Sequence, residues 1–479
     1  AHLARYLGFP LVEGDDLVAR DGKVYVRTIA GLKRADVILR RVDADFLDPL
    51  ELNTASSLGT PGMLEAIREG GVAVMNMPGS GVMESRALLA FMPQLCRRLL
   101  GEDLQLPNLA TWWCGQPHER DMVESRLDEM IVAPAFNMPN AAGLFSRQRL
   151  VADMTADDRA ELLRKMADRP GDFVGQDVVR LSTMPVLRDG KLEPAPFVLR
   201  VFAAATPDGI KILPGGFCRM SDRTDVRAIS MGEGARTADV WIIDDKPVER
   251  LTLIPRPDDL KVRPILGHFP SRAADNLFWL GRYIERAEAT LRLVRSLCTS
   301  LMASEAAVHA SGETFGSLRK LLVEWGAMDE TSMSGSVLDA AHASLHDGKA
   351  WGSVISLVRS AKRTASGMRE RLSPDFWALL LELEADLGEG DALTSEAEAL
   401  KQVEDALQHL AGLSGLAQEN MNRVAGWRFL DMGRRVERGI NICRFSRMFA
   451  HETATLDDLD LLLDLADSQI TYRARYLVG

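Results

Sequence analysis

The hydrophobic pattern of the chain changes character once, near residue 270. Before that point apolar residues come in short runs separated by turn residues. After it they recur at i, i+3 and i+4, the period of a helix with one buried face. Proline follows the same division: of 21 prolines, only Pro374 lies beyond residue 270. Proline removes a backbone donor and clashes with the preceding turn, so its near absence permits long helices there. In the first region Asp21-Gly22, Asp189-Gly190 and Asp208-Gly209 each sit between apolar runs, which predicts β-hairpins. Helices are predicted from Met83 to Leu100 and from Ala156 to Met166, and a buried strand from Val72 to Met75. The expected architecture is an α+β region over residues 1–253, a Pro-rich aperiodic linker over 254–270, and an all-α helical bundle over 271–479. Asp347-Gly348 lacks alternating flanks and predicts a joint between two helices.

The helical half contains an echo. Gly281-Arg282-Tyr283-Ile284-Glu285-Arg286 recurs as Gly433-Arg434-Arg435-Val436-Glu437-Arg438, an offset of 152 positions (433 minus 281). Within each copy the Arg, Glu and second Arg fall at i, i+3 and i+4, on one helix face where opposite charges can pair. Glycine inside a helix costs about 1 kcal/mol relative to alanine, so its use in both copies predicts a close approach of two helices. Two readings stay open. One is a pseudo-symmetric Arg/Glu site that holds an anion. The other, the commoner use of such residues, is an ion-pair network fixing two packed helices.

Charge and composition narrow the partners. The formal net charge is −11, which argues against a general nucleic-acid binder. No apolar run approaches the roughly 18 residues that a membrane span needs, and no signal-peptide pattern opens the chain. The five cysteines, at 96, 114, 218, 298 and 443, form no C-x-x-C pair, as expected of reduced thiols in a cytoplasmic setting. Residue 1 is alanine, within a helix-like phrase, so an upstream start is expected. His342 and His346 have chelating spacing, but without an H-E-x-x-H pattern they read as surface histidines at a helix end. The metal ligands are not evident from the sequence.

Candidate chemistry lies in the first half. Residues 70–85, GGVAVMNMPGSGVMES, read as strand, glycine loop and helix. Amides of Gly79, Ser80 and Gly81 at a helix start would attract an anion, although a plain tight turn gives the same pattern. Arg40, Arg41, Asp43, Asp45, Asp48 and Glu51 follow a strand, either as a site for Mg²⁺ or an amine or as a solvated loop turning at Asp48-Pro49. Residues 173–186 read as a strand with Gln176 and Asp177 at its centre. Residues 197–220 read as a hairpin, with Arg200 on its first strand and Arg219 after a Gly-Gly turn. Cations fixed on a sheet suit the stabilisation of phosphate charge.

Taken in order, RRVDADFLDPLEL, SLGTPGM, NMPGSGVMES, LPNLATWWCG, LRVF, LPGGFCRM and ADVWII resemble the circularly permuted ATP-grasp domain related to glutathionylspermidine synthase. SRAADNLFWLGRYIERAEATLRLV, GWRFLDMGRRVERG and LLDLADSQITYRARYL resemble three ordered signatures of the bacterial alpha-E domain. The resemblances imply two domains that are both incomplete in this chain. The first would lack an earlier segment carrying acidic and asparagine metal ligands, and the second would lack later helices. They imply ATP and Mg²⁺ as cofactors, and ligation of a small-molecule or peptide carboxylate to an amine through an acyl phosphate. By position, Arg200 and Arg219 would face the transferred phosphate, and Gln176 and Asp177 would lie beside adenine. Asn76 and Gly79 to Gly81 would border the nucleotide, and Arg41 and Asp43 would face substrate. The helices would position a substrate, bind a protein partner or pair with a second copy. Ala133 and Ala238 stand where the family tends to carry cations. These departures imply the alternative, a non-catalytic nucleotide-binding-like scaffold with a helical docking module.

Overall fold

The structure is a computed structural model that describes residues 2–136, 149–188, 190–220, 236–245, 269–306, 312–388, 393–423 and 425–476. The first half runs α1 (His2–Leu7), β1 (Leu17–Arg20), β2 (Lys23–Thr28), β3 (Gly31–Ala35), β4 (Val37–Leu39), α2 (Met63–Arg68), β5 (Ala73–Met75), α3 (Arg86–Leu89) and α4 (Met92–Leu100). It continues with β6 (Thr111–Trp113), α5 (Pro117–Ser125), β7 (Met130–Pro134), β8 (Arg149–Leu150), α6 (Ala156–Asp168) and β9 (Phe173–Asp177). Then come β10 (Thr183–Arg188), β11 (Lys191–Arg200), β12 (Ala203–Thr206), β13 (Gly209–Ile212), β14 (Gly216–Met220) and β15 (Arg236–Val240). The second half is helical: α7 (Ser271–Ala306), α8 (Gly312–Glu324), α9 (Val337–His346), α10 (Val354–Ser366), α11 (Pro374–Gly388), α12 (Glu396–Asn420), α13 (Ala425–Phe449), α14 (Leu456–Leu465) and α15 (Gln469–Tyr476). An α+β region followed by a helical region is what the pattern predicts.

The described residues form two compact units, and their limits differ from the expected division at 253 and 271. Residues 2–38 and 46–73 belong with the helices, while residues 39–45 and 74–245 make the second unit. The reason is a set of contacts that leave no trace in local periodicity. Arg272, in the first turn of α7, donates from Nε and Nη2 to the two carboxylate oxygens of buried Asp16, at 3.0 and 2.8 Å. Burial works against the charge on Arg272, but its bonds to Asp16 outweigh that and raise its pKa. The Ile29 amide donates to the Phe269 carbonyl at 3.0 Å, and Thr28 bridges Pro270. The last two residues of the expected linker are therefore tied to β2, and residues 254–268 lie outside the described residues.

In the helical unit β1, β2 and β3 form an antiparallel meander. Its first turn is the expected Asp21-Gly22, both at positive φ (51° and 63°), as a tight hairpin turn requires. One apolar core joins the helices. Trp325, Phe376, Phe445 and Phe449 are among its fully buried side chains, each worth roughly 1.5–3 kcal/mol or more in transfer free energy. Helix starts follow their caps: Ser336 with Asp339 for α9, and Thr455 with Asp458 for α14, are reciprocal capping boxes. Asp347-Gly348 joins α9 to α10, as expected.

The second unit holds two four-stranded sheets, ordered β6-β9-β7-β8 and β10-β11-β14-β15. Helix α6 coincides with the prediction to within two residues. The helix expected over Met83 to Leu100 is instead three pieces, a 3₁₀ turn at Ser80–Glu84 followed by α3 and α4. Ser85 is extended (φ −66°, ψ 133°), and Pro93 falls in the first turn of α4, where its missing N–H does no harm. The expected buried strand at Val72 also differs. β5 begins at Ala73 and alternates exposed, half-buried, exposed.

Candidate functional site: a two-arginine sheet face

The sheet β10-β11-β14-β15 has two chemically distinct faces. Register places Arg200, Phe217 and Asp239 in one row across β11, β14 and β15, and Val198, Arg219 and Thr237 in the next. Residues directly opposite share a face, and so do residues two apart, so all six project from the same side. The other side carries Met184, Val186, Ala195, Phe197, Cys218, Met220, Ala238 and Val240, which pack as an apolar cluster. Arg200 and Arg219 are thus diagonal neighbours on the polar face. Among the described residues neither is held in an ion pair. The Arg200 guanidinium lies 5.7 Å from the centre of the Phe217 ring, within cation–π range.

Local sequence explains this arrangement. The predicted hairpin over 197–220 is two nested hairpins. β12 pairs with β13 inside, turning at Pro207-Asp208, and β11 pairs with β14 outside. Gly215 and Gly216 have φ of 137° and 152°, and a Cβ on Gly216 would meet the Arg200 carbonyl oxygen at 2.3 Å. Only glycine lets β14 return this close beside Arg200. Phe217 and Asp239 join Arg200 in its row, although neither is among the site residues expected from the sequence. Alternation along β14 puts Phe217 on the face of Arg219, but the pairing with Arg200 and the place of Asp239 on β15 come only from the register.

The other expected residues fare differently. Gly79 has φ 89° and precedes only the short 3₁₀ turn, so Ser80 and Gly81 do not open an α-helix whose dipole could hold an anion. Asn76 is brought to Arg40, which donates from Nε to the Asn76 carbonyl at 3.0 Å. Arg40 thus braces this strand end, whereas Arg41 and Asp43 are exposed. Asp48 is fully buried and accepts from the amides of Leu50 (2.9 Å) and Leu64 (3.0 Å), which makes it a structural cap of α2 rather than part of a Mg²⁺ cluster. Among the described residues no group of three or more His, Cys, Asp or Glu side chains has a metal-binding arrangement. His346 is engaged through both ring nitrogens, with the Leu387 carbonyl and with Gln402.

Gln176 and Asp177 close the end of β9 rather than its centre, and successive strand residues point to opposite faces. Gln176 is buried beside Thr111, donating from Nε2 to its hydroxyl at 3.0 Å, while Asp177 pairs with Arg126 at 3.4 Å. Their side chains therefore have different surroundings on the two faces of β9. Ala133 sits with Ala87, Ala135, Val174 and Trp113 in an apolar cluster, and Ala238 belongs to the apolar face. A lysine at either position would point into packing rather than toward the arginines. Burial raises the thiol of Cys114 to about 12 and that of Cys298 to about 11. Neither supplies a nucleophile near neutral pH.

In the helical unit the echo becomes a crossed network between α7 and α13. Glu437 accepts from Arg282 Nε (2.6 Å) and from Arg286 Nε and Nη2 (2.6 and 3.2 Å). Glu285 accepts from Arg434 Nε (3.3 Å) and from Arg438 Nε and Nη2 (2.5 and 3.1 Å). The charges pair between the helices, as the ion-pair reading of the echo expects. The glycines explain the closeness: a Cβ on Gly281 would meet the Leu430 carbonyl oxygen at 2.2 Å, and one on Gly433 would meet that of Phe278 at 2.0 Å. Burial pushes the Glu437 carboxyl up, but the hydrogen bonds and charges of Arg286 and Arg282 outweigh it and hold the group below the usual carboxylate range. The bond to Glu285 raises the pKa of Arg438 against the opposing effect of burial. Both carboxylates are thus satisfied internally.

Residues 1–221 match the family model for circularly permuted ATP-grasp type 2. Residues 269–479 match Alpha-E, a predicted alpha-helical domain with a conserved ER motif. Glu285-Arg286 and Glu437-Arg438 are two Glu-Arg pairs of this Alpha-E region, and the crossed network gives them a structural role. The ATP-grasp match closes just after Arg219, so it includes both arginines of the sheet face. The uncharacterized protein Rv2567 of Mycobacterium tuberculosis is 29% identical over 99% of this chain and 55% of its own length. The uncharacterized protein sll0335 of Synechocystis is 33% identical over 50% of this chain and 49% of its own. The chain spans about half the length of the curated relatives it matches. Among the described residues no helix is long and apolar enough to cross a membrane.

Proposed function

We propose that the chain is part of an ATP-dependent carboxylate–amine ligase and that the Arg200/Arg219 face receives the nucleotide's phosphates. The observation that carries this reading is the placement of two cations, held in no ion pair among the described residues, on one face of a sheet whose other face is apolar. The ATP-grasp match over the same residues supports it. In this reading the γ-phosphoryl group passes to a substrate carboxylate and ADP leaves. The amine then attacks the acyl carbon and expels phosphate, leaving an amide. Arg200 and Arg219 offset the charge on the transferred group, and in a site shielded from water such fixed cations lower the barrier by electrostatics. Mg²⁺ bound with ATP draws most of its ligands from phosphate oxygens and water, so one or two carboxylates suffice. Asp239, in the same row as Arg200, fits that need. Phe217 gives Arg200 a fixed platform.

The test is ADP release from Mg-ATP by the intact protein, scanned over amino acids, polyamines and peptides, with Arg200→Ala and Arg219→Ala as controls. Substrate-dependent release that both substitutions abolish supports the reading, and release that survives both removes these residues from it. The second reading, a nucleotide-binding-like scaffold with a helical docking module, is favoured by the short 3₁₀ turn at Gly79–Gly81 and by the separation of Gln176 from Asp177. Binding of Mg-ATP without release for any acceptor would select it.

A further inference from the structure

The echo lets α7 and α13 be compared position by position, since each residue of α7 corresponds to one 152 positions later. On α7 the row Leu280, Ile284, Ala287 and Leu291 is 0, 4, 1 and 0% exposed, covered by a bundle in which α9, α10 and α12 pack on this helix. The counterpart on α13 is Met432, Val436, Gly439 and Cys443. There Met432 is 44% and Val436 41% exposed, and Gly439 and Cys443 are exposed as well. Equivalent rows on two related helices therefore meet helices in one case and solvent in the other.

The surroundings of the open row specify its partner. Exposed Arg428, Arg435 and Arg447 flank it. Of the two acids on α13, Glu437 is buried, and Asp431 pairs with Arg435 at 2.6 Å. In a chain of net charge −11 this is a local basic and apolar face. The complement stands on α14, which exposes Leu456 and Leu459 beside Asp457 and beside Asp460, whose carboxylate also lies 3.5 Å from Arg473 of the same chain. We propose that α13 docks on α14 of a second copy of this chain, and that the reciprocal contact completes a two-fold dimer. Both halves of the contact lie on one chain, so a single two-fold operation satisfies both at once. Complementary charge sets the pairing and the apolar rows supply the buried area.

The test is sedimentation of the intact chain across a concentration series. Arg435→Glu with Arg447→Glu, or Asp457→Lys with Asp460→Lys, should each weaken self-association by about tenfold or more, because like charges then face each other. An equimolar mixture of the two double variants should regain association to within about threefold of the unsubstituted chain, since both contacts of the mixed pair are complementary again. Helical circular dichroism confirms that each variant is folded. As a measurement free of substitutions, alkylation of Cys443 in the unsubstituted chain should slow as protein concentration rises. A chain that stays monomeric, a mixture that fails to associate, or a Cys443 rate independent of concentration would each overturn the proposal.

Discussion

The two units use arginine in opposite ways. In the helical unit Arg282, Arg286, Arg434 and Arg438 are paired with two buried glutamates. In the sheet unit Arg200 and Arg219 share a face and keep their charge available. Buried pairs whose partners lie on two helices fix register and orientation, whereas cations displayed on a sheet attract an external anion. The same residue type thus builds one unit and equips the other.

This contrast is broken most severely at Glu437. Removing one partner of a buried pair leaves uncompensated charge, so Glu437→Ala should destabilise the helical unit by about 3–5 kcal/mol in chemical denaturation. Nucleotide binding by the sheet unit should persist in whatever fraction stays folded. The pH dependence follows from the lowered pKa of Glu437. A carboxylate whose folded value lies below its unfolded value of about 4.3 contributes stability that is fully present above that value and lost as pH falls through the folded one. Acid unfolding should therefore set in below about pH 4.5, and Glu437→Gln should flatten that part of the profile.

A smaller effect is expected at the helix crossing. Gly433→Ala places a Cβ against the Phe278 carbonyl and must separate the helices, at a cost of about 1–3 kcal/mol seen as a lower denaturation midpoint. Smaller still, Ala238→Lys puts a cation on the apolar face of the sheet. It should destabilise by about 1–2 kcal/mol without improving nucleotide affinity. Tighter Mg-ATP binding by that variant would show that position 238 faces the site.

How far the sequence disclosed all this varied with the range of the interaction. The helical half was legible because proline absence and a 3.6-residue period are local properties, and the glycine of each echo copy announced a close approach. The partner of each charge was not legible, because i, i+3, i+4 spacing satisfies pairing within a helix and between helices equally. The sheet face was half legible. Arg200 and Arg219 stood out as cations near strands, but placing Phe217 and Asp239 beside them needed the register. The glycine loop misled, since Pro-Gly-Ser-Gly precedes a helix or a 3₁₀ turn with equal ease and Ser85 and Pro93 decide the outcome downstream. The membership of residues 2–38 in the helical unit left no local sign, because Asp16 and Arg272 meet across 256 positions.

The central claim is tested most directly by titrating Mg-ATP into the intact protein in a calorimeter, alongside Arg200→Ala, Arg219→Ala and Glu437→Gln. The account predicts saturable binding to the unsubstituted protein, a loss of about tenfold or more in affinity for each arginine variant, and unchanged affinity for folded Glu437→Gln. Affinity in both arginine variants equal to that of the unsubstituted protein, or a loss confined to Glu437→Gln, would contradict it.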